Sequence, residues 1–195
     1  MEIVLARHGE TEWSRDRRHT GRTDIPLTGN GRRQAAVLRD TLADRRFARV
    51  LSSPLSRALD TCREAGLGDQ AELTPDLCEW DYGDYEGITT AEIRTRRPGW
   101  NLWRDGCPGG ETAADVGHRS DRVLESLADL DGDAAVFAHG HVLRVLTARW
   151  LGLGPEQGAL FKLDTGTLSV LGYERETRTI TRWNAPVNGS ARPPR

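Results

Sequence analysis

Apolar residues along this chain fall into short continuous runs separated by segments of helical period. Ile3-Val4-Leu5-Ala6 is apolar at every position, as a strand buried on both faces of a sheet must be. Beyond Gly31, the residues Ala35, Leu38 and Leu42 recur at helical intervals and predict one buried helix face. Arg49-Val50-Leu51-Ser52 reads as a second strand running into Ser53-Pro54, a cap and first-turn pair that would open a helix. Leu55, Ala58, Leu59 and Cys62 then form the expected inward stripe of that helix. A short strand is expected at residues 71–73. Thr89-x-x-Glu92 is a capping box for a brief helix that must stop before Pro98.

Residues 111–130 hold the longest helical pattern, with Val116, Val123, Leu127 and Leu130 facing inward. Ala134-Ala135-Val136-Phe137-Ala138 is another buried strand, leading at once into a helix over 142–151. Residues 167–174 and 178–184 read as a terminal hairpin, and 188–195 as a flexible tail. Alternating strands and helices predict a single α/β domain over residues 1–187. It is a three-layer α/β/α arrangement with a mostly parallel central sheet and a C-terminal antiparallel hairpin.

Composition narrows the class. The 195 residues suit one domain, and 37% hydrophobic with 29% charged residues describes a globular chain. A net charge of −2 gives no overall basic surface, so nucleic acid is not an expected partner. Cys62, Cys78 and Cys107 show no C-x-x-C spacing, which suggests neither a disulfide framework nor a zinc site. The opening MEIVLARHGE lacks signal-peptide features, and no apolar run approaches the roughly 20 residues of a membrane span. A soluble cytoplasmic protein without a cofactor or metal is expected, its oligomeric state unreadable.

Two histidines stand where α/β sheets place ligands, just past the carboxyl ends of strands. His8 lies in Arg7-His8-Gly9 and His139 in His139-Gly140-His141. One such histidine is commonly structural, but a pair at equivalent strand ends is a signal of chemistry. A neutral imidazole is a competent nucleophile near pH 7, and an adjacent guanidinium such as Arg7 disfavours its protonation. Arginine also clamps phosphoryl oxygens. Phosphoryl transfer needs several converging donors, for which Arg57 and a protonated His139 are candidates. The leaving oxygen needs an acid, and the carboxylates of residues 79–87 are candidates. Glu79, beside Trp80 and Leu77-Cys78, is the one whose burial would help it hold a proton. Most of the others read better as a solvated loop.

Taken in order, these segments resemble the histidine phosphatase superfamily, the branch that includes the cofactor-dependent phosphoglycerate mutases. Leu5-Ala6-Arg7-His8-Gly9-Glu10-Thr11-Glu12-Trp13 is similar to the signature around its phosphorylated histidine. The segments from Thr20-Gly21-Arg22 to Thr28, from Ser52 to Ala58, from Leu77 to Gly87 and from Phe137 to Arg144 follow in family order. The resemblance implies His8 as nucleophile, Glu79 as proton donor, and Arg7, Arg57 and His139 as holders of the phosphoryl group. It implies no metal, and it places Ser14, Thr20, Gly21 and His141 near the substrate. The family often carries asparagine where this chain has Ser14, a shorter side chain with fewer donors.

Trp100-Asn101-Leu102-Trp103-Arg104 resembles a subgroup including sedoheptulose bisphosphatases and broad-specificity acid phosphatases. Trp103 would cover the apolar face of a sugar phosphate and Arg104 reach a second anion, whereas Trp100 more simply packs the excursion onto the sheet. The partner implied is a small phosphate ester, and the activity phosphatase rather than mutase or a phospho-ligand-binding module. Cysteine- and aspartate-based phosphatase chemistry fails on spacing: position 113, six beyond Cys107, is alanine, and Asp131-Gly132-Asp133 precedes its strand.

Overall fold

In the computed structural model, which describes residues 1–187, the apolar runs become the middle of one sheet. Strand β1 (Ile3–Arg7) lies parallel to β4 (Asp133–Ala138), with Ile3 opposite Ala134 and Arg7 opposite Ala138. On its other side β4 pairs in parallel with β2 (Phe47–Ser52), which pairs with the edge strand β3 (Ala71–Leu73). β5 (Thr167–Glu174) runs antiparallel to β1 and forms a hairpin with β6 (Thr177–Pro186). The sheet order is therefore β3-β2-β4-β1-β5-β6.

Alternate side chains of the same strands feed two cores, because successive strand residues point to opposite faces. Val4, Ala6, Val50, Ala135 and Phe137 pack under helices α2 (Gly29–Leu42) and α3 (Ser56–Glu64), meeting Leu38, Leu42 and Cys62. Ile3, Leu5, Leu51 and Val136 meet Val116, Val123, Val142 and Leu146 of α6 (Ala113–Ser126) and α7 (Gly140–Trp150). Three shorter helices sit in the long connections: α1 (Glu12–Arg15), α4 (Thr90–Arg96) and α5 (Leu102–Asp105). This is the three-layer α/β/α domain that the pattern predicts. The tail expected over 188–195 lies outside the described residues.

Local differences have identifiable causes. The helix expected to open at Ser53-Pro54 begins at Ser56, with Leu55 at its cap and no side-chain cap bond. Ser53 is instead drawn into the site, and the buried face of α3 is Arg57, Ala58, Thr61 and Cys62. Leu55 and Leu59 are only half-buried. Helix α6 opens on a capping box between Thr112 and Asp115 and closes at Ser126, with Leu127 still buried. Capping at Thr89 follows the sequence expectation, with Glu92 returning the bond. Cys62, Cys78 and Cys107 are free thiols. No helix among the described residues is long and apolar enough to cross a membrane.

One close approach sets the exit from β1. A Cβ at Gly9 would lie 2.2 Å from the Gly31 carbonyl oxygen, and one at Gly31 would lie 2.1 Å from that of Glu10. Only hydrogen fits at either position, so the loop carrying His8 is pressed against the first turn of α2.

Candidate active site

His8 follows the last residue of β1, and its backbone N–H donates to the Ala138 carbonyl at 3.0 Å. That bond brings the loops carrying His8 and His139 together, with ring centroids 5.2 Å apart. The His8 Nδ1 lies 2.7 Å from the Gly9 carbonyl oxygen. A carbonyl only accepts, so Nδ1 carries the proton and Nε2 keeps its lone pair. Burial, followed by the guanidiniums of Arg57 and Arg7, pushes the imidazole well below its ordinary pKa. His8 is thus a neutral imidazole with a defined tautomer.

His139 caps α7 and is fully buried. Arg57 donates from Nε to its Nδ1 at 3.1 Å, so the ring proton sits on Nε2, 2.8 Å from the Ser53 hydroxyl. Burial and then Arg57 hold this histidine neutral as well. It is not the third cation that the sequence reading allowed, because Arg57 occupies the nitrogen a second proton would need. Three further Arg57 donors go to backbone carbonyls, Nη1 to Thr23 at 3.0 Å and Nη2 to Thr20 and Gly21 at 3.1 and 2.9 Å, and Nη1 lies 3.9 Å from the Asp24 carboxylate. Arg57 lies behind the cavity, supplying charge and fixing a loop.

Arg7 is differently placed. Its Nη1 donates to the Leu163 carbonyl, while its buried Nε has no hydrogen-bond partner. An orphaned buried donor on a cation is costly and marks a place for an anion. Glu79 is gripped by three backbone N–H groups: Trp80 and Val142 donate to Oε1, and His141 donates to Oε2, all at 2.9 Å. Two of these donors belong to the first turn of α7, where a helix N-terminus favours a carboxylate.

Arg7, His8 and Glu79 line one cavity of about 400 Å³, together with Tyr82, Trp103 and His141. Among the described residues Glu79 is its only carboxylate, and Arg17, Arg18, Arg94 and Arg144 also line the cavity. Such a field draws in a dianionic ester.

The profile of the histidine phosphatase superfamily (branch 1) matches residues 3–186. This chain belongs to that family. The acid phosphatase of Mycobacterium tuberculosis is 40% identical over 182 residues, covering 91% of this chain and 89% of its own length. Sedoheptulose 1,7-bisphosphatase of Saccharomyces cerevisiae is 37% identical over 186 residues, covering 79% of this chain and 69% of its own length. A solved structure of an open reading frame from Mycobacterium tuberculosis superposes with a TM-score of 0.92 at 37% identity, covering 96% of this chain and 98% of that one. This histidine phosphatase is a phosphoric monoester hydrolase.

The remaining candidates of the phosphatase divide by position. Ser14 and Thr20 line the cavity. The Ser14 hydroxyl donates to the Thr11 carbonyl and accepts the Thr11 N–H, both at 2.9 Å, so it serves the cap of α1. Gly21 sits behind, its N–H on the Glu86 carboxylate and its carbonyl on Arg57. Trp103 faces the cavity, 5.3 Å from His141, with Arg144 stacked 4.5 Å from its ring. Trp100 is buried, and its indole donates to the Gly106 carbonyl at 2.9 Å while its edge lines the cavity.

Arg104 corrects the sequence expectation. It does not line the cavity; it pairs with Asp105 at 2.7 Å and its side chain is 69% exposed. The next residue along a helical turn points about 100° away from Trp103, toward solvent. Its partner Asp105 is held down at about 2 by that pairing.

The arginines around the cavity escaped the sequence reading as site residues. Arg144 left a trace, as a charged residue one turn beyond His141 on the largely apolar α7. Arg17 left none, although its φ of 59° is unusual for a non-glycine residue.

Proposed function

We propose that this phosphatase hydrolyses small phosphate esters, sugar phosphates in particular, through a phosphohistidine on His8. The observation that carries the reading is that His8, with the lone pair left on Nε2, lines one cavity with Arg7, whose buried Nε has no hydrogen-bond partner. The Nε2 lone pair attacks phosphorus, the bond to the ester oxygen breaks, and Glu79, which must enter this step protonated, gives that oxygen its proton. Glu79 then takes a proton from water, whose oxygen attacks the phosphohistidine and releases phosphate with His8 restored. Arg7 meets the phosphoryl oxygens directly, while Arg57 adds charge and the neutral His139 adds alignment from behind.

Sugar phosphates suit the cavity because Trp103 offers an apolar face beside polar groups. The sedoheptulose bisphosphatase name of one relative points the same way. Enzyme denatured rapidly in alkaline detergent, under which a phosphohistidine survives, during turnover of nitrophenyl phosphate should carry phosphate on His8. His8→Ala should keep its circular dichroism and lose both adduct and turnover. An adduct on another residue, or isomerisation of a phosphoglycerate with no phosphate released, would defeat the reading.

A further inference from the structure

His141 is used by the mechanism only through its backbone, yet its ring lies in the cavity. The Tyr82 hydroxyl sits 2.6 Å from His141 Nδ1. Tyr82 is 2% exposed, and its hydroxyl has no other hydrogen-bond partner among the described residues. A buried hydroxyl proton must be donated, and Nδ1 is the acceptor within reach. The imidazole proton is therefore on Nε2, which has no partner among the described residues. The ring is held edge-on by Trp103, Tyr82 and Trp80, with centroids 5.3, 5.8 and 6.3 Å away.

We propose that Tyr82 fixes His141 as a neutral Nε2–H donor into the cavity, and that this donor selects esters bearing an acceptor oxygen, such as a hydroxyl, on the carbon next to the phosphorylated carbon. The position follows from Glu79. The backbone N–H of His141 donates to Glu79 Oε2, and His141 Nδ1 lies 3.9 Å from the same oxygen. Glu79 addresses the leaving oxygen, so the ring beside it faces the carbon skeleton one bond further on. Burial, followed by the Arg144 charge, keeps the imidazole well below its ordinary pKa, so the donor stays uncharged. His141 is then a specificity residue and Tyr82 a positioning residue acting through it.

The inference rests on the proposed hydrolysis, and its test separates the two. 2-Hydroxypropyl phosphate and propyl phosphate differ by one hydroxyl. Wild type should favour the first in kcat/KM by about tenfold, the upper range of one neutral hydrogen bond. His141→Leu should bring the ratio near one, while His141→Gln, whose amide keeps an N–H at similar reach, should retain most of it. Tyr82→Phe should lower the ratio to about fivefold, since the ring then samples both tautomers and the donor form is present about half the time. These variants keep the backbone N–H that holds Glu79.

A wild-type ratio near one, or an unchanged ratio in His141→Leu, would overturn the inference while phosphate on His8 upheld the hydrolysis. Nitrogen-15 NMR of the wild type reads the tautomer without any turnover. The Nε2–H form with a hydrogen-bonded Nδ1 is expected, and the Nδ1–H form would refute the assignment even if Tyr82→Phe failed to fold.

Discussion

Arg57 Nε donates to His139 Nδ1 at 3.1 Å, and this guanidinium adds to burial in keeping both histidines of the pair neutral. It keeps His139 neutral with its proton on Nε2, and the same guanidinium opposes protonation of His8. Arg57→Met should therefore do more than remove a cation. It strands the carbonyls of Thr20, Gly21 and Thr23 and should cost about 3–5 kcal/mol of stability, as loss of a buried charged partner does. Urea denaturation checks this, and an unchanged midpoint would show that the loop is held by other contacts.

The buried histidines also set how stability depends on pH. His8, His19, His139 and His141 all have folded pKa values lowered first by burial. Below about pH 6.5 the unfolded chain takes up these protons while the folded chain does not, so unfolding gains as pH falls. The contribution is fully present above that pH and is lost progressively beneath it. Thermal midpoints should fall between pH 7 and 5, before ordinary carboxylates titrate. A midpoint constant over that interval would contradict the neutral histidines.

Glu79→Gln should slow hydrolysis of an alkyl phosphate by roughly 10²–10⁴-fold, the usual worth of a general acid. The loss on nitrophenyl phosphate should be smaller, because its leaving group departs without a proton. The amide also turns an NH₂ toward backbone donors, so part of any common loss reflects misplacement. Comparing the two substrates removes that common part. Equal losses would argue against Glu79 as the acid.

Neighbouring residues on α5 should separate sharply. Trp103→Ala removes the face against His141 and Arg144 and should raise KM for sugar phosphates about tenfold or more. Arg104→Ala should change kcat/KM less than twofold, since its guanidinium pairs with Asp105 outside the cavity. A large effect at Arg104 would return it to the substrate site.

What the sequence discloses follows from how each element is stabilised. β1 and β4 are legible because both faces are buried, which leaves an unbroken apolar run. Thr89 and Glu92 announce a helix start because both partners of the cap lie within four residues. Ser53 misleads because the group it meets, His139, is 86 positions away. Arg104 misleads because a four-residue helix shows no period from which to read a face. Arg17 and Arg18 look like any solvated charge run, and only folding turns them toward a cavity. The chemistry at His8, Glu79 and His139 stands out because those residues follow family signatures in order. The Tyr82 hydroxyl bonding to His141 belongs to no local pattern.

Glu79 is held by main chain alone, and this separates two kinds of inheritance within the protein. At position 141 the peptide N–H serves the reaction and the side chain meets the ester. A substitution there can redirect selectivity without dismantling the acid, since every residue except proline supplies the same N–H. The fold thus offers a position where new substrates can be tried while the catalytic step is passed on intact.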